Sequence, residues 1–278
     1  MFGPIAVESW LRQLPLAKSS CAKIRNLFSV LFNHACRYEF FDGNPITFVR
    51  QGATRRTVPT VLTPTEIKLL LANLGLRERT LVLLAASTGL RQSELFALQW
   101  SDIDFAQGIM SVTRSIVYGV VGYCKTESSR KPVPLHASVC ELLVQWRRIC
   151  RYKKSDDWVF ASDRCRGRKP YWGQAILRRY IQPMAYSLGI QKKIGWHTFR
   201  HTYSTLLRSV GAEFKVMQEL LRHSSLRSTL DVYTQAISPA KHAAQAAVLA
   251  LVFSSESSAA TLPPMLVTSS TQPQNGSN

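Results

Sequence analysis

The chain has 278 residues, 46% of them hydrophobic, which is enough to build one full-sized domain and a smaller one. Lys and Arg number 35 against 17 Asp and Glu, and the formal net charge of +18 indicates a polyanionic partner, with nucleic acid as the leading candidate. A basic surface that serves solubility alone is the alternative. No apolar run is long enough for a membrane span and no secretion signal is recognisable, so we expect neither a membrane protein nor a secreted one.

The six cysteines show no Cys-x-x-Cys spacing. This pattern argues against a zinc site and against a disulfide framework. We therefore expect reduced thiols in a cytoplasmic protein.

The N-terminal region predicts a small helical domain over residues 1–49. Apolar residues recur at helical spacing from Cys21 to Phe41, and Gly43-Asn-Pro45 is expected to end that helix. Residues 50–60 are basic and without periodicity, as is typical of a linker. At the other end, residues 254–278 consist mostly of Ser, Ala, Thr, Pro and Gln, and we expect a disordered tail.

The second domain is predicted over residues 61–253 and opens with helices. Thr63-Pro-Thr-Glu66 is a capping box with proline at the first helical position, so a helix is expected from Pro64 to about Leu74. A second helix is predicted from about Arg77 to Thr88, where Gly89 ends it, and a third from Arg91 to Gln99.

The pattern then changes to short β-branched and aromatic segments separated by glycines, which predict one small antiparallel sheet. Its strands are expected at Ile103–Phe105, Met110–Ser115, Ile116–Tyr123 and Pro132–Leu135. Helical spacing returns in five later segments. These are Ser138–Cys150, Gln174–Leu188, His197–Val210, Phe214–Leu221 and Ser238–Leu251. The predicted fold class is mainly α with a small antiparallel β-sheet.

Several short motifs follow one another in a fixed order along the second domain. They are Thr88-Gly-Leu-Arg-Gln-Ser-Glu-Leu95, Lys125-Thr126 with Val133-Pro-Leu135, His197-Thr-Phe-Arg200, Leu221-Arg-His-Ser-Ser225 and Leu230-Asp-Val-Tyr233. Any one of these motifs alone is weak evidence of function. Because they occur together in this order, the chain from about Val61 to Ala250 resembles the tyrosine recombinase (phage integrase) family.

The resemblance implies a set of catalytic residues and a carboxylate that orients the active-site cations. The catalytic set is Arg91, Lys125, His197, Arg200, His223 and Tyr233, and the carboxylate is Glu94. It also implies a DNA breaking-rejoining catalytic domain preceded by a truncated helical core-binding (SAM-like) domain. The implied partner is double-stranded DNA, bound by a homo-tetramer on paired sites in the cytoplasm, at the nucleoid. No cofactor and no metal are expected.

These residue types suit attack on a phosphodiester. Charge gathers on the non-bridging oxygens during displacement, and the guanidinium groups of Arg91 and Arg200 can bind those oxygens while remaining charged. Tyr233 is the expected nucleophile, although a tyrosine of ordinary pKa near 10 is so little ionised at pH 7 that forming tyrosinate costs roughly 4 kcal/mol. Neighbouring cations reduce that cost. By the resemblance, Lys125 protonates the leaving 5′ oxygen.

Two features depart from the family pattern. Arg222 stands where the family usually has glycine, before the third-box histidine, and the N-terminal helical domain is shorter than usual. The short helical domain leaves a DNA-binding remnant without recombination activity as one alternative. A type IB topoisomerase, which uses a similar set of catalytic residues, is the other. The segment Ser238–Leu251 resembles the helix that packs into a neighbouring protomer, with packing on its own domain as the alternative.

Overall fold

A computed structural model of the chain describes residues 3–52, 58–123 and 132–222. The chain divides into two compact units, Met1–Pro59 and Thr60–Asn278. Within the described ranges no helix is long and apolar enough to span a membrane.

The first unit is helical and small. It contains α1 (Pro4–Gln13), α2 (Lys18–Arg37) and a 3₁₀ turn at Pro45–Phe48. Its core consists of five buried residues from all three elements and the segment that follows them. They are Val7, Leu11, Cys21, Ile46 and Val49.

The predicted end of α2 at Phe41 is wrong by four residues. Glu39 adopts a left-handed backbone with φ of 59°. The amides of Glu39 and Phe40 then donate back to the carbonyls of Cys36 and Ala35, which is the hydrogen-bond pattern of a Schellman cap. The helix therefore closes before the Gly43-Asn-Pro45 turn is reached.

The second unit begins with two helices that match their sequence signals. In α3 (Pro64–Asn73) the Thr63 hydroxyl accepts from the Glu66 amide and the Glu66 carboxylate accepts from the Thr63 amide, so the predicted capping box is confirmed. α4 (Leu76–Thr88) ends at Gly89, whose φ of 62° is left-handed.

The third predicted helix is much shorter than expected. α5 covers only Gln92–Leu95 instead of continuing to Gln99. Beyond it the backbone is drawn into pairing with a distant segment, because Val159 donates to the Leu98 carbonyl and Trp100 donates to the Asp157 carbonyl. A 3₁₀ turn follows at Trp100–Asp102.

The β-structure is antiparallel as predicted but forms two sheets instead of one. One sheet has the order β1 (Ile103–Asp104), β2 (Ile109–Met110) and β5 (Val133–Pro134), and the other is the hairpin of β3 (Arg114–Val117) and β4 (Val120–Tyr123). The Ser111 amide donates to the Asp102 carbonyl, which extends the register of β1 and β2 by one pair, whereas β3 pairs with β4. The Arg114 guanidinium anchors the hairpin through two hydrogen bonds to the Asp102 carboxylate.

The remaining described helices all lie near their predicted positions. They are α6 (Ala137–Ile149), α7 (Gly173–Ile176), a π turn at Leu177–Ile181, α8 (Gln182–Ser187), α9 (Trp196–Ser209) and α10 (Phe214–Leu220). Helices α4 and α9 pack against each other around a core in which Leu81, Leu84, Leu95 and Phe199 are fully buried. This packing brings the end of α4 beside α9.

The thiols of Cys21, Cys36, Cys140, Cys150 and Cys165 are free. Cys124, the predicted helix Ser238–Leu251 and the predicted tail lie outside the described residues.

Candidate active site

Arg91 and Glu94 form the first part of the site at the start of α5. The Glu94 carboxylate accepts from the backbone amide of Arg91 at 2.8 Å and from its Nη1 at 2.9 Å. Glu94 is buried, whereas 37% of the Arg91 side chain is exposed. One carboxylate therefore fixes both ends of Arg91 and leaves part of its guanidinium facing solvent.

Arg200 lies in the middle of α9 and is buried. Its guanidinium donates to the carbonyl of Gly89 at the end of α4, and its Nη2 donates to the carbonyl of Leu221 at 2.6 Å. Burial and the nearby positive charges of Arg91 and Arg222 lower the pKa of Arg200 to about 9. The group still carries its positive charge at neutral pH, so Arg200 is a fixed cation that joins the ends of two helices.

His197 lies in the first turn of the same helix, one turn before Arg200, and is exposed. Loss of hydration and the positive charges of Arg200 and Arg91 hold the pKa of His197 below its ordinary value. The imidazole is therefore mainly neutral at pH 7 and can donate from one ring nitrogen.

An open cleft of about 570 Å³ lies in front of Arg91 and His197. The β3–β4 hairpin forms one side and residues 168–174 form the other, where Lys169 and Trp172 contribute a cation and an exposed aromatic ring. The cleft thus places a cation and an aromatic ring next to Arg91, a combination suited to nucleic acid.

Arg222 completes the group from the end of α10. Its φ of 51° is left-handed, a conformation that costs a non-glycine residue about 1–2 kcal/mol. The side chain is fully buried and its Nη2 donates to Glu94 Oε2 at 2.5 Å. Glu94 is therefore bound to Arg91 and Arg222 at once.

Of the residues predicted from the motifs, the structure brings together Arg91, Glu94, His197 and Arg200. Lys125, His223 and Tyr233 lie outside the described residues, and their roles remain predictions. In the part of the chain that the structure describes, no three His, Cys, Asp or Glu side chains are grouped closely enough to hold a metal ion.

The chain is similar in sequence to known proteins, and this similarity shows its family. The model of the phage integrase family matches residues 60–238, which is more than half of the chain and includes the arginine group of Arg91, Arg200 and Arg222. The chain belongs to the phage integrase family. A tyrosine recombinase of Pseudothermotoga lettingae is 31% identical over 243 residues, which cover 84% of this chain and 78% of the relative. The tyrosine recombinase XerC of Thermodesulfovibrio yellowstonii is 30% identical over 259 residues, which cover 83% of this chain and 77% of the relative.

Solved structures share the fold. The Tn1549 transposon integrase in complex with transposon right end DNA has a TM-score of 0.71 at 20% identity, with 89% of this chain and 86% of that chain covered. The XerH site-specific recombinase bound to a palindromic difH substrate has a TM-score of 0.65 at 20% identity, with 88% of this chain and 72% of that chain covered. The mainly α fold with small antiparallel sheets is therefore that of a phage integrase family member, as predicted.

In this family member, motif comparison overlooked two parts of the site. The sequence marks Arg222 only as a departure from a glycine pattern, and it does not indicate that Arg222 is a buried cation or that the Gly89 carbonyl holds Arg200. The position of Arg222, directly after the end of a short amphipathic helix, was the available signal. It gave no indication of which way the side chain would point.

Gly89 has little room for a side chain, which leads to a prediction. A Cβ at Gly89 would lie 2.8 Å from Tyr203 Cδ1 and 3.0 Å from Leu221 Cδ2. Gly89→Ala adds overpacking to the left-handed penalty, so we expect the free energy of unfolding to fall by about 2–5 kcal/mol in urea titrations.

Gly189→Ala is the matched control. Its φ of 77° is equally unfavourable for alanine, but nothing lies within 4 Å of the added Cβ. A loss of only about 1–2 kcal/mol is expected there. Equal losses in the two variants would show that Tyr203 and Leu221 move aside at no cost.

Proposed function

We propose that the chain is a site-specific DNA recombinase that cleaves and rejoins DNA strands through a 3′-phosphotyrosyl intermediate at Tyr233, without metal or ATP. The observation that supports the proposal is the buried Glu94 carboxylate that binds Arg91, with Arg200 and His197 near enough for their charges to interact with Arg91. The match to the phage integrase family and the tyrosine recombinases among the relatives favour this function over a type IB topoisomerase.

In the proposed reaction the arginines stabilise charge on the phosphate. The exposed part of the Arg91 guanidinium binds the non-bridging oxygens, and Arg200 contributes a second fixed charge from behind. His197 and His223 donate hydrogen bonds to the same phosphate. A preorganised cationic site of this kind requires little rearrangement as charge develops, which is the main source of its effect.

Bond making and breaking fall to Tyr233 and Lys125. Tyr233 gives up its phenolic proton to solvent and its oxygen attacks phosphorus, the bond from phosphorus to the 5′ oxygen breaks, and Lys125 gives that oxygen a proton. The phosphotyrosyl bond retains the energy of the broken strand. Another 5′ hydroxyl then attacks phosphorus, gives its proton to the neutral Lys125 amine and displaces the Tyr233 oxygen, so rejoining needs no ATP.

Double-stranded DNA is the proposed partner, bound by four copies on paired sites at the nucleoid. DNA is the partner in the Tn1549 integrase and XerH structures, and the net charge of +18 is suited to it. We propose that residues 1–49 act as a truncated core-binding domain and 61–253 as the catalytic domain, joined by the linker 50–60 and followed by the disordered tail 254–278. The segment Ser238–Leu251 is proposed to join neighbouring protomers.

The proposal is tested by trapping the covalent adduct. The full chain is mixed with nicked duplexes whose core sequence is randomised. Cleavage near the nick releases a short end that diffuses away, so the covalent adduct cannot be rejoined. Protein-bound DNA is then recovered under denaturing conditions. We expect adducts to form equally in excess chelator, because arginines neutralise the phosphate. Adducts that vanish with chelator and return with magnesium would indicate a metal-dependent enzyme. A wild-type protein that binds DNA but forms no adduct would be the inactive remnant.

A further inference from the structure

Arg222 has a conformation and an environment that need an explanation. It occupies a left-handed backbone position at a helix end, where glycine is the residue that costs least. Its side chain does not extend into solvent, as a long cation at a helix end usually does, but is only 2% exposed. A buried guanidinium is tolerated where it is paired, and here it is paired with Glu94.

The Glu94 carboxylate is shared in a defined way. Its Oε2 accepts from Arg222 Nη2 and from the Arg91 amide, while its Oε1 accepts from Arg91 Nη1 at 2.9 Å. A carboxylate has enough lone pairs to accept all three bonds. Arg222 comes from α10 and Arg91 from α5, so the carboxylate is fixed from two elements that are distant in sequence.

We propose that Arg222 is a positioning residue that acts on Arg91 through Glu94, an inference that rests on the proposed strand-cleavage function. A carboxylate held by Arg91 alone can rotate with that side chain and neutralise it. Held also by Arg222, it stays in place and is shared between two cations. Arg222 thus orients the Arg91 guanidinium and preserves positive charge at its exposed end.

The first test compares Arg222→Lys with Arg222→Met, which share the left-handed strain and differ in charge. Single-turnover cleavage is measured on a nicked duplex recovered from the randomised pool, together with its dissociation constant and the unfolding midpoint of each variant. We expect the Met variant to cleave about 10- to 100-fold more slowly with little change in affinity, and the Lys variant to keep most of the rate. Equal rates in the two variants would overturn the proposal.

Arg222→Gly separates the effect of the lost charge from the effect of the strained backbone conformation. Glycine relieves the left-handed strain, and Glu94 keeps Arg91 as its partner, so this variant is expected to fold. A role limited to structure predicts that glycine cleaves as fast as the wild type. We expect it to be as slow as the Met variant, and a wild-type rate would contradict the inference.

A double-mutant cycle with Glu94→Gln tests whether Arg222 affects the cleavage rate through Glu94. If Arg222 acts through Glu94, Arg222→Met should slow cleavage little further once Glu94 is glutamine. Fully additive losses would overturn the proposed route. A wild-type protein that forms no adduct overturns the proposed function together with this inference. An active wild type with an unimpaired Met variant overturns only this inference.

Discussion

Tyr233→Phe should yield no covalent protein–DNA adduct. The substitution removes only the phenolic oxygen that is proposed to attack phosphorus, and phenylalanine has no atom that can replace it. Non-covalent binding depends on the many basic residues and should be nearly unchanged. The measurement is denaturing gel electrophoresis of the trapping reaction, alongside a gel-shift assay of binding.

Tyr203→Phe is the control for this experiment. Tyr203 lies on α9 beside Gly89, close to the arginine group, but burial raises the pKa of its phenol and so disfavours the nucleophilic tyrosinate. This variant should still form the adduct. An adduct that survives in Tyr233→Phe and is lost in Tyr203→Phe would transfer the nucleophile to α9.

Lys125→Ala should cleave ordinary DNA about 10²- to 10⁴-fold more slowly, because a positioned acid contributes a factor of that size. The defect should depend on the leaving group. With sulfur in place of the 5′ bridging oxygen, the leaving thiolate has a far lower proton affinity and needs no acid. On that substrate Lys125→Ala should recover most of its rate, measured in single-turnover cleavage.

Arg91→Ala provides the contrast. Its defect lies at the non-bridging oxygens, where charge builds on either substrate, so sulfur should not rescue it. Arg91 is preferable to Arg200 for this purpose, because Arg200 holds two backbone carbonyls that its loss would leave unpaired. If Lys125→Ala is equally impaired on both substrates, Lys125 is not the acid, and Lys131 or His223 becomes the next candidate.

The sequence by itself determined the features that depend on local interactions. The capping box at Thr63 and the left-handed stop at Gly89 follow from neighbouring residues, and both were found where predicted. The spacing of His197 and Arg200 places them on one helix face whatever surrounds that helix. The order of the motifs likewise identified the family before any distance was known.

Tertiary structure decided the features that depend on distant partners. α5 stops at Leu95 because residues 157–159 take the backbone bonds that a longer helix would have made for itself. Arg222 points inward because Glu94, 128 positions away, is buried at the place where α10 ends. A buried charge is stable only where a partner and the surrounding atoms compensate its lost hydration, and the helix that contains it does not specify that partner.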